Sequence, residues 1–156
     1  MKNKRSIYII ALITLIIDQV VKLIIKSNLD LYQEIKLIPN LFSLYYVENE
    51  GAAFSILGNK TLFLIIVSIL CLIIINKFIF DTELPKYSKI PFGLLLGGIL
   101  GNLIDRILHQ SVTDYLAIFL LNYSFPVFNI ADIAITLSTI FLIITFIILE
   151  KDRKIN

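Results

Sequence analysis

Four long apolar runs constrain this chain more than any other feature of its sequence. They extend from about residue 7 to 25, 61 to 80, 90 to 108 and 130 to 149. A helix of about 20 residues, at about 1.5 Å rise per residue, crosses the roughly 30 Å hydrocarbon core of a bilayer. The 156 residues are 58% hydrophobic, with a mean hydropathy of +0.88, which is too apolar for a water-soluble domain of this size. The sequence therefore predicts an α-helical integral membrane protein with four transmembrane helices, in a single membrane domain over residues 1–156.

The distribution of Lys and Arg predicts the orientation of these helices. Nine of them lie at the two termini and in the segment from the end of the second run to the start of the third: Lys2, Lys4, Arg5, Lys77, Lys86, Lys89, Lys151, Arg153 and Lys154. The other side has Lys26, Lys36 and Lys60, spread along a connection from residue 26 to 60. Because cytoplasmic segments carry the excess of positive charge, both termini are predicted to be cytoplasmic. The first run resembles a secretory signal but lacks a small-residue cleavage site, so we expect it to stay attached.

Polar residues from distant parts of the sequence meet at one depth in this topology. Charged groups near a bilayer are costly and usually functional. The predicted outer ends of the helices, with the connections beside them, carry Asp18, Lys22, Asn102, Asp105, Arg106, Asp114, Asn129 and Asp132. Because these residues lie at the same depth in the membrane, we predict that they form one site on the outer face.

The connection from residue 26 to 60 is predicted to hold a small extracytoplasmic β element between helices 1 and 2. Its apolar stretch from Ile35 to Val47 is broken by Pro39 and Asn40, a pattern of short strands joined by a turn. The small residues after Asn49, beginning with Gly51, allow the backbone to approach a partner closely. We expect this element to rest on the membrane surface over the site.

The residue types narrow the chemistry of the site. One His and one Cys give no set of metal ligands, and the lone Cys71 excludes an internal disulfide. A net charge of +2 without a basic face gives no support for nucleic-acid binding. Nucleophilic catalysis by a serine with Lys22 as its base remains open, the candidate serines being Ser43, Ser55, Ser111 and Ser124.

Carboxylates are the remaining candidates. Two carboxyl groups within hydrogen-bonding reach share one proton, so that one acts as a base toward water. Asp114 and Asp132 fit this role best because they flank the connection between helices 3 and 4. Asp105, next to Arg106, fits an orienting salt bridge or a helix contact better. The structural alternatives are an i,i+4 ion pair for Asp18 and Lys22 and helix capping for Asp114 and Asp132.

Five motifs in order resemble those of the bacterial lipoprotein signal peptidase, or signal peptidase II, family. They are Asp18-Gln19-Val20-Val21-Lys22, Asn49-Glu50-Gly51-Ala52-Ala53-Phe54, the stretch from Gly97 to Arg106, Val112-Thr113-Asp114, and Phe128-Asn129-Ile130-Ala131-Asp132. The resemblance implies an aspartyl protease of the bacterial cytoplasmic membrane that removes the signal peptide of prolipoproteins, cutting before a lipid-modified cysteine.

The same resemblance implies the roles of the site residues. Asp114 and Asp132 would be the catalytic pair. The residues that line or support the substrate pocket would be Asp18, Lys22, Asn49, Gly51, Asn102, Asp105, Arg106 and Asn129. The expected partners are lipid-modified prolipoproteins and membrane lipids; no cofactor or metal is expected, and no oligomer is required.

Two residues depart from the family pattern. Gln110 stands where the family usually has Gly, and Tyr115 where Phe is common, so we expect a slightly altered loop with activity retained. The alternative function is that of a small proton-coupled transporter. Its acidic residue should lie near the membrane midplane instead of the outer mouth.

Overall fold

The computed structural model describes residues 4–51, 60–120 and 123–155, without the side chains of 123–124 and 148–155. Within these ranges, four helices are long and apolar enough to cross a membrane. They are α1 (Arg5–Asn28), α2 (Thr61–Asp81), α3 (Lys89–His109) and α4 (Ile130–Ile155). The four predicted transmembrane helices are therefore confirmed. The observed helices extend past the predicted bounds because the backbone hydrogen bonds continue into the flanking polar residues, which the hydropathy pattern leaves out.

Helix α3 lies between α1 and α4 and touches both closely. A Cβ atom added at Gly97 would lie 2.6 Å from the carbonyl oxygen of Ala11 in α1, and one at Gly98 would lie 2.6 Å from that of Ala131 in α4. Glycine at these positions lets the helix backbones approach, as small residues do in membrane helix pairs. The glycine-rich segment of α3 is thus a contact surface for both neighbouring helices.

A small antiparallel sheet lies at one end of the helices. Its order is β1-β2-β3-β4, formed by β1 (Glu34–Ile38), β2 (Phe42–Asn49), β3 (Val112–Leu120) and the two-residue β4 (Tyr123–Ser124). The strands β1 and β2 confirm the predicted β element after helix 1. The strands β3 and β4, in the connection between α3 and α4, extend this element beyond what the sequence predicted. The start of β3, residues 112–115, is buried throughout and so lacks the alternation of polar and apolar residues that reveals a half-buried strand.

The sheet brings the connections between the helices together. Strand β2 pairs with β3 so that Asn49 lies opposite Val112 and Val47 lies opposite Asp114. Below the sheet, a cluster of buried apolar residues joins it to the end of α1: Ile25, Leu29, Tyr46 and Tyr115. The end of α3 leads into β3, and α4 begins shortly after β4. All the candidate site residues that are described therefore lie at this end of the helices.

Candidate active site

Asp114 lies on β3 and is almost fully buried, with 2% of its surface exposed. Two asparagine side chains donate to its carboxyl group: Asn129 Nδ2 lies 2.7 Å from Oδ1, and Asn49 Nδ2 lies 2.9 Å from Oδ2. Each oxygen thus has a neutral donor, which orients the group without a salt bridge. Asparagines from two different elements, β2 and the start of α4, hold Asp114 in place.

Asp132 is the third residue of α4 and is only partly buried. Its backbone N–H donates to Asn129 Oδ1 at 2.9 Å, and its Oδ2 accepts the backbone N–H of Asn129 at 3.2 Å. This reciprocal arrangement is that of a capping box, in which the residue before a helix and the third helical residue satisfy each other's backbone donors. The capping role considered for Asp132 is therefore real, and its carboxyl group still faces a cavity.

Asn102 on α3 links Asp132 to the interior of the protein. Its Nδ2 donates to Asp132 Oδ1 at 2.8 Å, while its Oδ1 accepts from Lys22 Nζ at 3.0 Å and from Asn129 Nδ2 at 3.1 Å. Because the ammonium group can only donate, it fixes which end of the Asn102 amide faces Asp132. Asn102 therefore presents a donor to the carboxyl group.

Lys22 lies in a buried charge cluster with Asp18 and Asp105. Its Nζ is 2.9 Å from Asp18 Oδ2 and 3.0 Å from Asp105 Oδ2, and all three side chains are nearly inaccessible to solvent. The i,i+4 ion pair considered for Asp18 and Lys22 is present. Of the salt bridge or helix contact considered for Asp105, the structure shows a salt bridge, to Lys22 on α1; no ion pair with its neighbour Arg106 is present among the described residues. The three residues of the charge cluster do not line the cavity beside Asp114 and Asp132; Lys22 contacts Asn102, which does.

Arg106 connects the end of α3 to the segment that follows β2. Its Nη2 donates to the carbonyl oxygen of Gly51 at 3.3 Å. The Gly51 N–H in turn donates to Asn49 Oδ1 at 2.9 Å, so Asn49 contacts both this backbone and Asp114. The rest of the predicted motif, residues 52–54, lies outside the described residues.

A cavity of about 780 Å³ opens beside the two carboxyl groups. Asp114, Asp132, Asn49, Asn102 and Arg106 contribute its polar wall. Its apolar wall comes from β3, residues 125–128 and the first turns of α4, and includes Ile118, Phe125 and Leu137. A mostly apolar pocket with a few convergent polar groups is typical of a substrate site.

The environment of Asp114 favours its protonated form. Burial raises the pKa of Asp114 to about 7, and the carboxylate of Asp132 acts in the same direction. The hydrogen bonds from Asn49 and Asn129 and the charge of Lys22 act in the opposite direction. A carboxyl group with a pKa near neutrality can hold or release a proton under physiological conditions, as a general acid or base must.

The described residues give no support for the alternative of a serine activated by Lys22. The recorded partners of the Lys22 ammonium group are the carboxylates of Asp18 and Asp105 and the amide of Asn102. Ser111 is hydrogen-bonded to a backbone carbonyl, while Ser55 and the side chain of Ser124 lie outside the described residues. In the described ranges, no group of three or more His, Cys, Asp and Glu side chains could hold a metal ion.

Sequence reasoning missed three residues that shape the site. Gln19 Nε2 donates to Asp105 Oδ1 at 2.9 Å, and Thr113 donates its backbone N–H to Asp105 Oδ2 at 3.0 Å. Tyr115 accepts the first backbone N–H of α4. An amide at Gln19, inside an apolar run and next to Asp18, was a signal that could have been used. Nothing in the sequence predicted the contacts of Thr113 and Tyr115.

Comparison with known proteins places this geometry in a family. The family model described as signal peptidase (SPase) II matches residues 10–148. A lipoprotein signal peptidase of Clostridium tetani is 41% identical over 152 residues, which cover 94% of this chain and 97% of the relative. A lipoprotein signal peptidase of Maridesulfovibrio salexigens is 38% identical over 144 residues, covering 88% and 92% of the two chains.

Two solved structures, each described as a bacterial membrane enzyme studied by the in meso method, share the fold. The one at 2.3 Å resolution superposes with a TM-score of 0.84 at 36% identity, covering 92% of this chain and 87% of the other. The one at 1.9 Å resolution has a TM-score of 0.81 at 36% identity, covering 91% and 92%. With a family model that matches most of its length and relatives that align over nearly their whole length, the chain belongs to the signal peptidase II family.

Proposed function

We propose that this chain is a membrane aspartic endopeptidase that removes the signal peptide from prolipoproteins and cuts before a lipid-modified cysteine. The observation that carries the proposal is that Asp114 and Asp132 line the same cavity, with Asn129 hydrogen-bonded to each of them. The family supports a protease that acts on prolipoproteins. The arrangement of carboxyl groups supports the aspartic mechanism.

In this mechanism the two carboxyl groups share one proton. The ionised carboxylate takes a proton from a water molecule, and the resulting hydroxide attacks the carbonyl carbon of the scissile peptide bond. The protonated carboxyl group donates a hydrogen bond to the developing oxyanion. When the tetrahedral intermediate collapses, the C–N bond breaks and a proton passes from the pair to the leaving amine. The new carboxyl terminus and amine separate, and the pair again holds one proton.

The cavity suits an extended peptide that carries lipid. An extended backbone has unpaired N–H and C=O groups that cannot be left bare in an apolar environment. Asn49, Asn102 and Arg106 lie on the polar wall and can bind such groups. The apolar wall offers contact area for the acyl chains and for apolar side chains of the signal peptide.

We place the protein in the bacterial cytoplasmic membrane with both termini in the cytoplasm. The excess of Lys and Arg at the termini and between α2 and α3 supports this orientation. It puts the sheet, Asp114 and Asp132 at the outer face, where a translocated prolipoprotein presents its lipid-modified cysteine. The surrounding lipids are the other expected partner, and nothing in the proposed reaction requires an oligomer.

The position of the carboxyl groups also argues against a proton-coupled transporter. Asp132 is in the first turn of α4 and Asp114 is on the sheet, so both lie at one end of the helices. Transport sites lie near the midplane, where access can alternate between the two sides. A site at the end of the bundle serves a reaction at the interface better.

The test is cleavage of a diacylglyceryl-modified prolipoprotein by the purified protein in phospholipid nanodiscs, with release of the signal peptide as the readout. Asp114→Asn and Asp132→Asn should each abolish cleavage. Asp30→Asn, which changes an exposed carboxyl group, is the matched control and should cleave at the wild-type rate. Near-normal cleavage by both site variants would exclude the aspartic mechanism, and no cleavage by the wild type with several substrates would exclude the protease function.

A further inference from the structure

The first turn of α4 is held by side chains from three different parts of the chain. The first N–H groups of a helix have no partner within it. In α4, the N–H of the third residue, Asp132, donates to Asn129 Oδ1. The N–H of the second residue, Ala131, donates to Asp18 Oδ1 at 2.9 Å. The first, the N–H of Ile130, donates to the hydroxyl oxygen of Tyr115 at 3.3 Å. The helix that carries Asp132 is thus fixed at its first three residues.

We propose that Tyr115 is a positioning residue for peptide hydrolysis: its hydroxyl group, by accepting the Ile130 N–H, fixes the first turn of α4 and so the carboxyl group of Asp132. The proposal rests on the proposed function, in which Asp132 is catalytic. Tyr115 does not line the cavity. It acts through the helix and does not touch the substrate.

Tyr115 is well placed for this role because it is buried and adjacent to Asp114. Its side chain is 2% exposed and packs in the apolar cluster with Ile25, Leu29 and Tyr46. Its backbone N–H donates to the carbonyl oxygen of Phe128 at 3.0 Å. Backbone and side chain therefore both tie β3 to the segment at the start of α4. This double link sets the distance between the strand that carries Asp114 and the helix that carries Asp132.

The hydroxyl group is a suitable acceptor because it stays neutral. Burial raises the pKa of Tyr115 well above its ordinary value. The Ile130 N–H acts in the opposite direction, while the carboxylates of Asp18, Asp114 and Asp132 raise the pKa further. A neutral hydroxyl group satisfies the helix N–H without adding a negative charge beside the catalytic carboxyl groups. A third carboxylate in its place would repel both of them.

The first test compares Tyr115→Phe with Tyr46→Phe. Both changes remove only a hydroxyl group, and both rings pack in the same apolar cluster; the Tyr46 hydroxyl donates to Glu48 Oε1 at 2.9 Å instead. For Tyr115→Phe we expect kcat for a lipidated prolipoprotein to fall about three- to tenfold with KM within about twofold of wild type, because Asp132 is displaced while the cavity remains. Hydrogen exchange of the Ile130 amide should accelerate. Tyr46→Phe should leave kcat and the Ile130 exchange rate unchanged.

A second pair of variants tests the same hydrogen bond at its donor, the N–H of Ile130. Ile130→Pro deletes the N–H at the first helical position, where proline is tolerated, and Ile130→Ala keeps the N–H but shortens the side chain. We expect kcat of Ile130→Pro to be lower than that of Ile130→Ala, which keeps the proposal testable if Tyr115→Phe does not fold. The proposal is overturned if Tyr115→Phe has wild-type kcat, if Tyr46→Phe loses as much, or if the two Ile130 variants are equal. Near-normal cleavage by Asp132→Asn would instead overturn the catalytic role of Asp132, on which the proposal rests. An inactive Asp132→Asn beside a fully active Tyr115→Phe would overturn the positioning role alone.

Discussion

Asn129 and Asp132 cap each other at the start of α4. The Asn129 amide oxygen accepts the Asp132 N–H at 2.9 Å, and the Asp132 carboxyl group accepts the Asn129 N–H at 3.2 Å. The Asn129 Nδ2 atom at the same time donates to Asp114 at 2.7 Å. The fully buried side chain of Asn129 thus caps a helix and contacts the carboxyl group of Asp114, while the Asn129 backbone N–H contacts that of Asp132. The two tasks use different atoms and can be separated by mutation.

Asn129→Ser and Asn129→Ala separate these tasks. Serine is as good an N-cap as asparagine, whereas alanine loses the cap at a cost of about 0.5–2 kcal/mol. Neither residue can donate to Asp114 and Asn102 as the amide does. We therefore expect both variants to lose most of their activity, while Asn129→Ser has the higher thermal midpoint of the two in nanodiscs. High activity in Asn129→Ser would show that the amide donor is not needed.

The four membrane-spanning helices and the first hairpin could be predicted from sequence. The four helices follow from apolar runs of the length that spans a bilayer, and the turn at Pro39 and Asn40 marks the β1–β2 hairpin. The strand β3 could not be predicted this way, because its first residues are buried on both faces and show no alternation. Its pairing with β2 depends on contacts between segments about 70 residues apart.

In the site, too, some features could be predicted from sequence and others could not. Topology alone placed Asp18, Asp105 and Asp132 at one level, and the structure brings them together. The partner of Asp105 could not be deduced, because its neighbour Arg106 points to Gly51 and the cation that reaches Asp105 comes from α1. That contact requires the close approach of α1 and α3 at glycine, which residue spacing within either helix does not reveal.

Removing Lys22 should destabilise the protein strongly. Lys22→Met leaves the carboxylates of Asp18 and Asp105 buried without their cation, and breaking a buried ion pair in this way typically costs about 3–5 kcal/mol. We expect a large drop in the thermal midpoint and in the yield of folded protein. Adding Asp105→Asn to Lys22→Met should recover part of the loss by removing one unpaired charge. Lys26→Met, at a partly exposed cation on the same helix, is the control and should change the midpoint little.

Asp105→Asn should reduce stability more than catalysis. The change leaves one acceptor oxygen where two now serve Gln19, Thr113 and Lys22, so one buried donor loses its partner at a cost of about 1–3 kcal/mol. Asp105 is absent from the cavity wall, and we expect kcat to stay within about tenfold of wild type. The comparison is with Asp132→Asn, measured by signal-peptide release under the same conditions. A loss of kcat as deep as that of Asp132→Asn would assign Asp105 to the reaction itself.

The raised pKa of Asp114 predicts a pH-dependent penalty on stability. Its ordinary value is 3.8, and in the folded protein the pKa is about 7. Between these values the folded state binds more protons than the unfolded state, so the contribution of Asp114 to stability is most favourable below about pH 4 and is lost as the pH rises to about 7.

The variant Asp114→Asn tests this dependence, because its side chain cannot ionise and its stability does not include this loss. The amide replaces only one of the two acceptor oxygens, but that cost is the same at every pH, so the slope is diagnostic. We therefore expect the thermal midpoint of Asp114→Asn, measured relative to that of the wild type, to rise from pH 4 to pH 8. Each kcal/mol of difference in unfolding free energy shifts the midpoint by about 2–4 °C. Asp30→Asn, at an exposed carboxyl group, should follow the wild-type curve, and parallel curves for Asp114→Asn and wild type would contradict the raised pKa.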